Sequence, residues 1–382
     1  MWCPVSSCCC ADLRSPRLVA VVVIVVGVFV GVLAWRLSGP DLPTAAAGDP
    51  GTGGVVSPIE DGTVGYVITR AGASLSDDPA GETTPVGAGM IFPVTAATDN
   101  HFQIMDNCNR TGWIGAGDVD VGRVPAARDG TMDRSVFVID PGHGFPDLGA
   151  VGPSGLTETE VNIDVSARIA ALLGDSHDID WATGTVGPGD TVPAAAVALL
   201  TRYPDGPNEG DYELGLTFRA ALGNAVDATA LVSIHHNTEP TRDLDQPGSS
   251  AFVSVTNPES PRLGGLIVEE LRSSLARFDA DWVGGRGNGL ESRVNIDGED
   301  YYTILEQAEV PAAIVEGAYL SNESEEALIM TDAFRQAYAE AVYRALVRFV
   351  TTDDYPIPAP EPELYDVDAP PRSMDDCVVP LP

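Results

Sequence analysis

In SVFVIDPGHG, residues 135–144, an apolar and largely β-branched run stops at a Pro-Gly-His turn, and this pattern indicates the fold class. Two later runs stop in a similar way, ALVSIHHN at residues 230–237 and AAIVEG at residues 312–317. Short apolar runs that alternate with longer helical stretches are typical of an α/β fold with a mixed, mostly parallel sheet flanked by helices. Ligands bind such sheets at the carboxyl ends of the strands, so we expect the three polar strand ends to meet in one crevice.

The predicted α/β domain extends over residues 135–352. A fourth strand is predicted at SAFVSV, residues 250–255. Apolar residues at helical spacing predict the helices, which span residues 158–173, 216–226, 261–278 and 332–350.

The segments on either side of this domain differ from it in composition. Residues 37–57 predict a Gly- and Pro-rich linker, and residues 58–124 contain short strand-like runs that predict a small all-β barrel or sandwich. The order of these runs resembles a bacterial SH3-like domain closed by a Gly-Trp-Ile element, here at 112–114. Such a domain binds cell-wall peptides or serves as a passive spacer. His101 is expected in an exposed loop, and residues 353–382 predict a disordered, acidic, Pro-rich tail.

An apolar segment near the start of the chain sets the predicted location. Residues 18–35 carry no charge, and a helix of that length nearly crosses a hydrocarbon core of about 30 Å. We therefore predict a single-pass anchor in the cytoplasmic membrane at 18–36, with the preceding residues 1–17 in the cytoplasm and the remainder outside, because arginines precede the segment. A signal peptide cleaved near the small residues 45–47 is the alternative, and it would make the protein secreted.

The charge balance excludes one class of partner and one class of chemistry. The 382 residues include 56 acidic and 21 basic side chains, and the formal net charge of −35 repels phosphate backbones and excludes nucleic acid as a partner. Lysine is absent, which excludes Schiff-base and P-loop lysine chemistry. Cys108 and Cys377 follow the membrane segment, and an oxidising compartment would allow them to pair. We expect a monomer.

Each of the three strand ends carries a side chain that binds metal or moves protons: His143, His235 and Glu316. A fourth candidate is Glu158, which follows Thr157 at a predicted helix start with capping-box spacing. Two imidazoles, one carboxylate and an open position form a common arrangement of hydrolytic zinc. Taken singly, each residue also has a structural explanation: a turn histidine, a hydrogen-bonded core histidine, a loop-capping carboxylate or an acidic first-turn residue.

Strand alternation distinguishes the two adjacent histidines. Ser233, His235 and Asn237 share one face of the predicted strand, whereas His236 points to the other face. We therefore assign His235 to the site, together with the other polar residues. His236 is then a neighbour that supports the site from behind.

Residues 135–351 resemble the zinc-dependent N-acetylmuramoyl-L-alanine amidases called Amidase 3. The similar segments occur in the family's order, and they are IDPGHG at 139–144, GLTETEVN at 155–162, LTR at 200–202 followed by Arg219 and Asn224, SIHHN at 233–237 and PAAIVEGAYLSN at 311–322.

The resemblance implies both a cofactor and a substrate. It implies Zn²⁺ held by His143, Glu158 and His235, with Glu316 as the catalytic acid/base. It implies peptidoglycan as the substrate, hydrolysed at the amide between the lactyl group of N-acetylmuramic acid and L-alanine, in cell-wall remodelling or cell separation.

Three further residues, Arg219, His236 and Asn237, are expected to support the metal ligands or to contact the substrate.

The chain also departs from the family pattern. Phe145 replaces a second Gly, residues 318–319 are Ala-Tyr where Gly-Phe is usual, and the link at 175–195 is longer than usual. The long link predicts a lid or a site for a regulatory protein partner, and it leaves an autoinhibited resting state open. His177 within the link is expected to be exposed.

Two other functions are compatible with the same sequence features. One is a catalytically silent, membrane-tethered regulator that binds peptidoglycan. The other is a zinc hydrolase that acts on a different amide or ester.

Overall fold

The computed structural model describes residues 63–106, 110–125, 129–144, 147–202 and 215–365. Within these ranges, no helix is long and apolar enough to cross a membrane. The described residues do not include the segments predicted as cytoplasmic terminus, anchor and linker, both cysteines of the suggested disulfide, Phe145, or the distal part of the tail.

An antiparallel sheet forms the first module. Its strands are β1 (Thr63–Thr69), β2 (Ser74–Ser76), β3 (Thr83–Pro85), β4 (Ile91–Ala97), β5 (His101–Met105), β6 (Thr111–Gly115) and β7 (Val119–Val124). The seven strands lie in the order β3-β2-β6-β5-β4-β1-β7, and every neighbouring pair is antiparallel. The expected all-β character is therefore confirmed, whereas an SH3-like fold stays a prediction.

One loop prediction in this module is wrong. His101 is the first residue of β5, pairs with Gly115 and is partly buried, because the antiparallel ladder extends one residue further than the apolar run of the sequence.

The described residues of the α/β domain form the remaining strands and six α-helices. The strands are β8 (Val136–Pro141), β9 (His177–Asp180), β10 (Thr185–Pro188), β11 (Val197–Leu200), β12 (Ala230–Asn237), β13 (Arg242–Asp243), β14 (Ser250–Val253), β15 (Val283–Gly284), β16 (Leu290–Glu291), β17 (Arg293–Val294), β18 (Ala312–Tyr319) and β19 (Glu363–Leu364). The helices are α1 (Glu158–Gly174), α2 (Leu216–Ala225), α3 (Ser260–Leu275), α4 (Thr303–Glu306), α5 (Glu323–Ile329) and α6 (Asp332–Thr351).

The main sheet has six strands in the order β11-β8-β12-β18-β14-β16. The strands β11, β8, β12 and β18 are parallel, β14 is antiparallel to β18, and β16 is parallel to β14. A mixed, mostly parallel sheet flanked by helices is therefore confirmed. The carboxyl ends of β8, β12 and β18 lie at one edge, and the predicted polar residues are located there.

Alternating residues of the sheet contribute to two apolar layers. Ile139, Val232 and Val315 pack in the cluster that includes α1, α3 and α6, whereas their chain neighbours Val138 and Ile314 pack in the opposite cluster. That second cluster also contains residues of α2 and of the β-module. Residues on both sides of the predicted domain boundary therefore share one core.

The tail and the long link differ from their predictions. Residues 353–365 were expected to be disordered, but β19 pairs with β17 and the Tyr365 ring lies 4.7 Å from the ring of Tyr301, because apolar and aromatic residues interrupt the acidic run. The link at 175–195 contains the β9–β10 hairpin, which follows the end of α1 opposite to Glu158. His177 is partly buried rather than exposed, since its ring packs 5.4 Å from the ring of Tyr343.

Candidate metal centre

The turn after β8 holds His143 in a left-handed conformation, with φ of 62°. A non-glycine residue in this region is uncommon and persists only where the surroundings fix it. Two buried guanidinium groups supply that constraint, because Arg202 Nε donates to the His143 carbonyl at 3.2 Å and Arg219 Nη2 donates to the same oxygen at 2.7 Å. The two arginines therefore fix the backbone that carries the His143 imidazole.

A buried carboxylate anchors this arrangement to the sheet. Asp140 lies on β8 and is only 1% exposed, and Arg219 Nη1 contacts its Oδ1 at 2.7 Å. Thr201 and Ser233 each donate a hydroxyl to this carboxylate at 2.5 Å. Burial alone would raise the pKa of Asp140, but the positive charge of Arg219 and the two hydroxyl donors outweigh it and lower the pKa. Asp140 is therefore ionised and stabilises the base of the site.

Glu158 is placed by the start of α1. The Thr157 side chain accepts a hydrogen bond from Glu160 N at 3.4 Å, as the capping spacing predicted, so Glu158 is the first helical residue. Glu158 is 4% exposed, and its carboxylate accepts hydrogen bonds from Ala150 N at 2.8 Å and His236 N at 3.1 Å. Burial opposes ionisation, but the interactions of Glu158 with the two candidate imidazoles outweigh it and hold the pKa of Glu158 far below its usual range.

The two predicted histidines face this carboxylate from different sides. Nε2 of His143 lies 3.1 Å from Glu158 Oε2, and Nδ1 of His235 lies 2.9 Å from Glu158 Oε1. The two rings meet edge to face, with centroids 4.8 Å apart. One ligand-type atom from each of the three residues lies within 4.8 Å of the other two, so the group can hold a metal ion.

The hydrogen bonds on the far side of each ring indicate which nitrogen carries the proton. His143 Nδ1 lies 2.8 Å from Asp147 Oδ2, and an ionised carboxylate only accepts, so this nitrogen donates. His235 Nε2 lies 3.2 Å from the Ser233 hydroxyl, whose own proton goes to Asp140, so this nitrogen donates as well. A neutral imidazole then has a lone pair on the other nitrogen, and in both residues that nitrogen faces Glu158.

Two nitrogen lone pairs that face one carboxylate require a positive charge between them. Without a metal ion, a proton must supply this charge. Burial lowers the pKa of His143, but the hydrogen bonds to Asp147 and Glu158 outweigh burial and raise this pKa to about 9. A divalent cation would supply the same charge to all three groups. The donor set of two imidazoles and one carboxylate is the one that hydrolytic zinc uses, so these residues fit the ion.

Glu316 is placed next to this group by strand register. It lies on β18 opposite His235 of β12, so both side chains project from the same face of the sheet. Its Oε2 is buried and accepts no hydrogen bond from any residue in the described ranges. Burial and the negative charge of Glu158 raise the pKa of Glu316 to about 8, while the positive charge of Arg293 lowers it. A carboxyl group with a pKa near neutrality suits proton transfer.

The three supporting residues named from the sequence occupy different positions. Arg219 is buried beneath the His143 turn, as described above. His236 lies on the opposite face of β12 from His235, where its Nδ1 is 3.0 Å from the Asn162 side chain and burial lowers its pKa to about 3. Asn237 follows an irregularity in the β12–β18 ladder, and its side-chain oxygen accepts a hydrogen bond from Thr238 N at 2.8 Å.

Sequence reasoning missed residues that orient the ligands. Asp147 bonds to His143, and Asn162 donates to Glu158 Oε1 at 3.3 Å while its own oxygen faces His236. Asn162 lies four residues after Glu158 on α1, a spacing that places two side chains on the same helix face and could have indicated the contact. Asp147 had no comparable signal among 56 acidic residues.

Residues 137–348 match the family Amidase_3, described as N-acetylmuramoyl-L-alanine amidase, over more than half of the chain. The chain belongs to this amidase family. The matched range includes His143, Glu158, His235 and Glu316, and the resemblance inferred from the sequence is confirmed. The protein is thus an N-acetylmuramoyl-L-alanine amidase, an enzyme that acts on peptidoglycan.

Curated relatives of the amidase come from several bacteria. The germination-specific N-acetylmuramoyl-L-alanine amidase of Bacillus subtilis is 25% identical over 228 residues, which cover 58% of this chain and 81% of the relative. N-acetylmuramoyl-L-alanine amidase AmiC of Neisseria meningitidis is 28% identical over 243 residues, and the alignment spans 57% of this chain and about half (53%) of that relative. N-acetylmuramoyl-L-alanine amidase Rv3717 of Mycobacterium tuberculosis is 26% identical over 230 residues, which cover 57% of this chain and 87% of that relative.

Among solved structures, the N-acetylmuramoyl-L-alanine amidase from Clostridium difficile 630 is similar with a TM-score of 0.43 and 22% identity, over 58% of this chain and 98% of that chain.

Proposed function

We propose that the amidase is zinc-dependent, with Zn²⁺ held by His143, Glu158 and His235 and with Glu316 as its acid/base. The observation that carries the proposal is the pair of imidazole lone pairs that face one carboxylate within 4.8 Å. Zinc, when bound there, acts as a Lewis acid that polarises a carbonyl and acidifies water.

The chain's own residues supply the proton transfers. Glu316 projects beside His235 and has an oxygen without a hydrogen-bond partner among the described residues, so this oxygen is free to take a proton from the attacking water. The same carboxyl then gives the proton to the nitrogen of the leaving L-alanine. A group in this role contributes about 10²–10⁴-fold to the rate.

The hydrogen bonds behind the ligands keep them ready for the ion. Asp147 holds the proton of His143 on Nδ1, and the Ser233–Asp140 pair holds that of His235 on Nε2. Each imidazole is thereby kept in the tautomer that directs a lone pair to the centre. Arg219 fixes the backbone of the turn rather than the substrate, because its nitrogens are occupied by Asp140 and by backbone carbonyls.

The location and cellular role belong to the same proposal. The uncharged stretch within residues 18–36 supports an anchor in the cytoplasmic membrane with the amidase domain outside, or secretion if that segment is cleaved. Peptidoglycan lies on that side of the membrane, and cell-wall remodelling or cell separation is the corresponding role. Protease accessibility of the domain in intact cells tests the location, and a domain protected until the cells are lysed would exclude it.

Metal content and product release test the catalytic proposal in the full-length protein. We expect one zinc per chain and, on incubation with peptidoglycan, newly exposed alanine amino groups whose release stops with a chelator. His143→Ala should lose both zinc and activity, Glu316→Gln should keep zinc and lose turnover, and His101→Ala, a histidine of the β-module, should keep both. Binding of peptidoglycan without any release would instead favour the silent regulator, and unchanged zinc content in His143→Ala would exclude the ligand set.

A further inference from the structure

A second concave site lies away from the metal centre, beneath the β9–β10 hairpin. The pocket has a volume of about 220 Å³ and is lined by the hairpin turn, α3, the residues just after α3 and α6. The hairpin follows the carboxyl end of α1, whereas Glu158 is the first residue of that helix. None of the residues that line the pocket is a candidate metal ligand or Glu316, so the pocket is separate from the metal centre.

The turn that forms one wall is held firmly. Gly184 N donates to the Asp180 carbonyl at 2.8 Å and Ala182 N donates to the Asp180 side chain at 3.0 Å. From below, Arg344 of α6 donates to the Gly184 carbonyl at 2.6 Å and to Glu270 Oε2 at 2.9 Å. The floor is therefore a satisfied ion pair, and the turn is a rigid platform.

The rim carries groups that are not engaged elsewhere. Trp181 lies at the tip of the turn, and its side chain is 52% exposed. Arg277 and Ser273 are exposed on the opposite side of the pocket. In the described part of the chain, none of these three side chains makes a hydrogen bond or ion pair; Arg277 only packs over the Phe278 ring at 5.1 Å.

An exposed indole ring beside free hydroxyl and guanidinium donors matches the chemistry of a sugar. A pyranose ring offers an apolar face of C–H groups that stacks on an aromatic ring, and its hydroxyl and acetamido oxygens accept hydrogen bonds from Arg and Ser. The volume is below the roughly 300–1,000 Å³ of pockets for drug-sized ligands, which fits a single ring rather than a peptide. The mostly polar lining argues against an apolar segment of a partner protein.

We propose that this pocket, formed by Trp181, Ser273 and Arg277, is a saccharide-binding site that holds a sugar ring of the glycan strand. The inference rests on the proposed function only in taking peptidoglycan as the ligand. A second point of contact raises the local concentration of the polymer at the catalytic cleft, so it increases affinity for intact peptidoglycan but not for a small substrate.

Two measurements on the full-length protein test the site. Co-sedimentation with purified peptidoglycan, in the presence of a chelator to stop hydrolysis, measures affinity for the polymer. Hydrolysis of a soluble N-acetylmuramoyl-L-alanyl peptide, too small to reach the pocket, measures the catalytic cleft alone. We expect Trp181→Ala to weaken co-sedimentation about tenfold, equivalent to about 1.4 kcal/mol, and to leave kcat/KM for the soluble peptide unchanged.

Two further variants keep the result interpretable. Ser273→Phe fills the pocket while retaining the indole, and it should weaken binding to the polymer to a similar extent. Tyr355→Ala removes another exposed aromatic side chain, 47% exposed, and should have no effect. Wild-type co-sedimentation by both Trp181→Ala and Ser273→Phe would overturn the saccharide site even if the soluble peptide is hydrolysed. Binding that depends on Trp181 in a protein that never hydrolyses the peptide would uphold the site and reject the proposed function.

Discussion

The substitution Gly142→Ala tests how closely the turn after β8 packs against the second histidine. A Cβ atom at position 142 would lie 2.2 Å from both Cε1 and Nε2 of the His235 ring. Carbon atoms pack at about 3.5–4.0 Å, so the ring must move by more than about 1 Å. Metal ligands tolerate deviations of only about 0.2 Å, and the movement would remove His235 from the ligand set.

We therefore expect Gly142→Ala to lower zinc affinity by at least about 100-fold, equivalent to about 2.7 kcal/mol, and to lower amidase activity in parallel. The assay is competition for zinc with a chelator of known affinity. Gly187→Ala on β10 is the matched control, because a Cβ there meets no atom within 4 Å, and it should bind zinc like the wild type. Wild-type zinc affinity in Gly142→Ala would refute the placement of His235.

Four further predictions concern charge and metal binding. Arg293→Met removes a positive charge that lowers the pKa of Glu316, so the acidic limb of the kcat/KM profile should move to higher pH, whereas Arg293→Lys should leave it in place. Asp140→Asn leaves Arg219 as a buried charge without its partner and should lower the free energy of unfolding by about 3–5 kcal/mol in denaturant titrations. Folding lowers the pKa of Asp140, so its contribution to stability is complete above the unfolded pKa of about 3.9. This contribution is lost as the pH falls through the lower pKa of the folded state. A wild-type protein whose stability did not decline in this acidic range would contradict the lowered pKa. Chelation of zinc should lower the melting temperature, since a metal present at 100 times its Kd stabilises the folded state by about 2.7 kcal/mol, and an unchanged temperature would exclude a folded-state site.

The sequence predicted the positions of the four candidate site residues because local rules placed each of them. His143 follows β8, His235 and Glu316 lie toward the carboxyl ends of β12 and β18, and Glu158 follows a capping residue at a helix start. Parallel strands end at the same edge, so local position was sufficient to predict that the side chains meet.

The supporting network could not be predicted in this way. The contacts of Asp140 and Asp147 depend on side chains brought together by tertiary structure. Asp140 lies in the IDPGHG segment, but that segment does not show which groups its carboxylate contacts, and nothing in the sequence distinguishes Asp147 among 56 acidic residues. Strand alternation separated His235 from His236 but could not place Asn237, because the ladder is irregular between His235 and Asn237.

The strand β19 was missed for a related reason. It consists of two exposed residues, Glu363–Leu364, in a Pro-rich segment, and it forms only because β17 offers an edge to pair with. A two-residue strand has no periodicity that a sequence pattern could show. The antiparallel direction of β14 was likewise not visible in its apolar run.

Anomalous diffraction at the zinc absorption edge, from crystals of the full-length protein, would show whether His143, Glu158 and His235 hold zinc. We expect one anomalous peak about 2.0–2.2 Å from His143 Nε2, His235 Nδ1 and an oxygen of Glu158. A zinc ion bound elsewhere in a protein that hydrolyses peptidoglycan, or an active protein without a peak at these three residues, would contradict it.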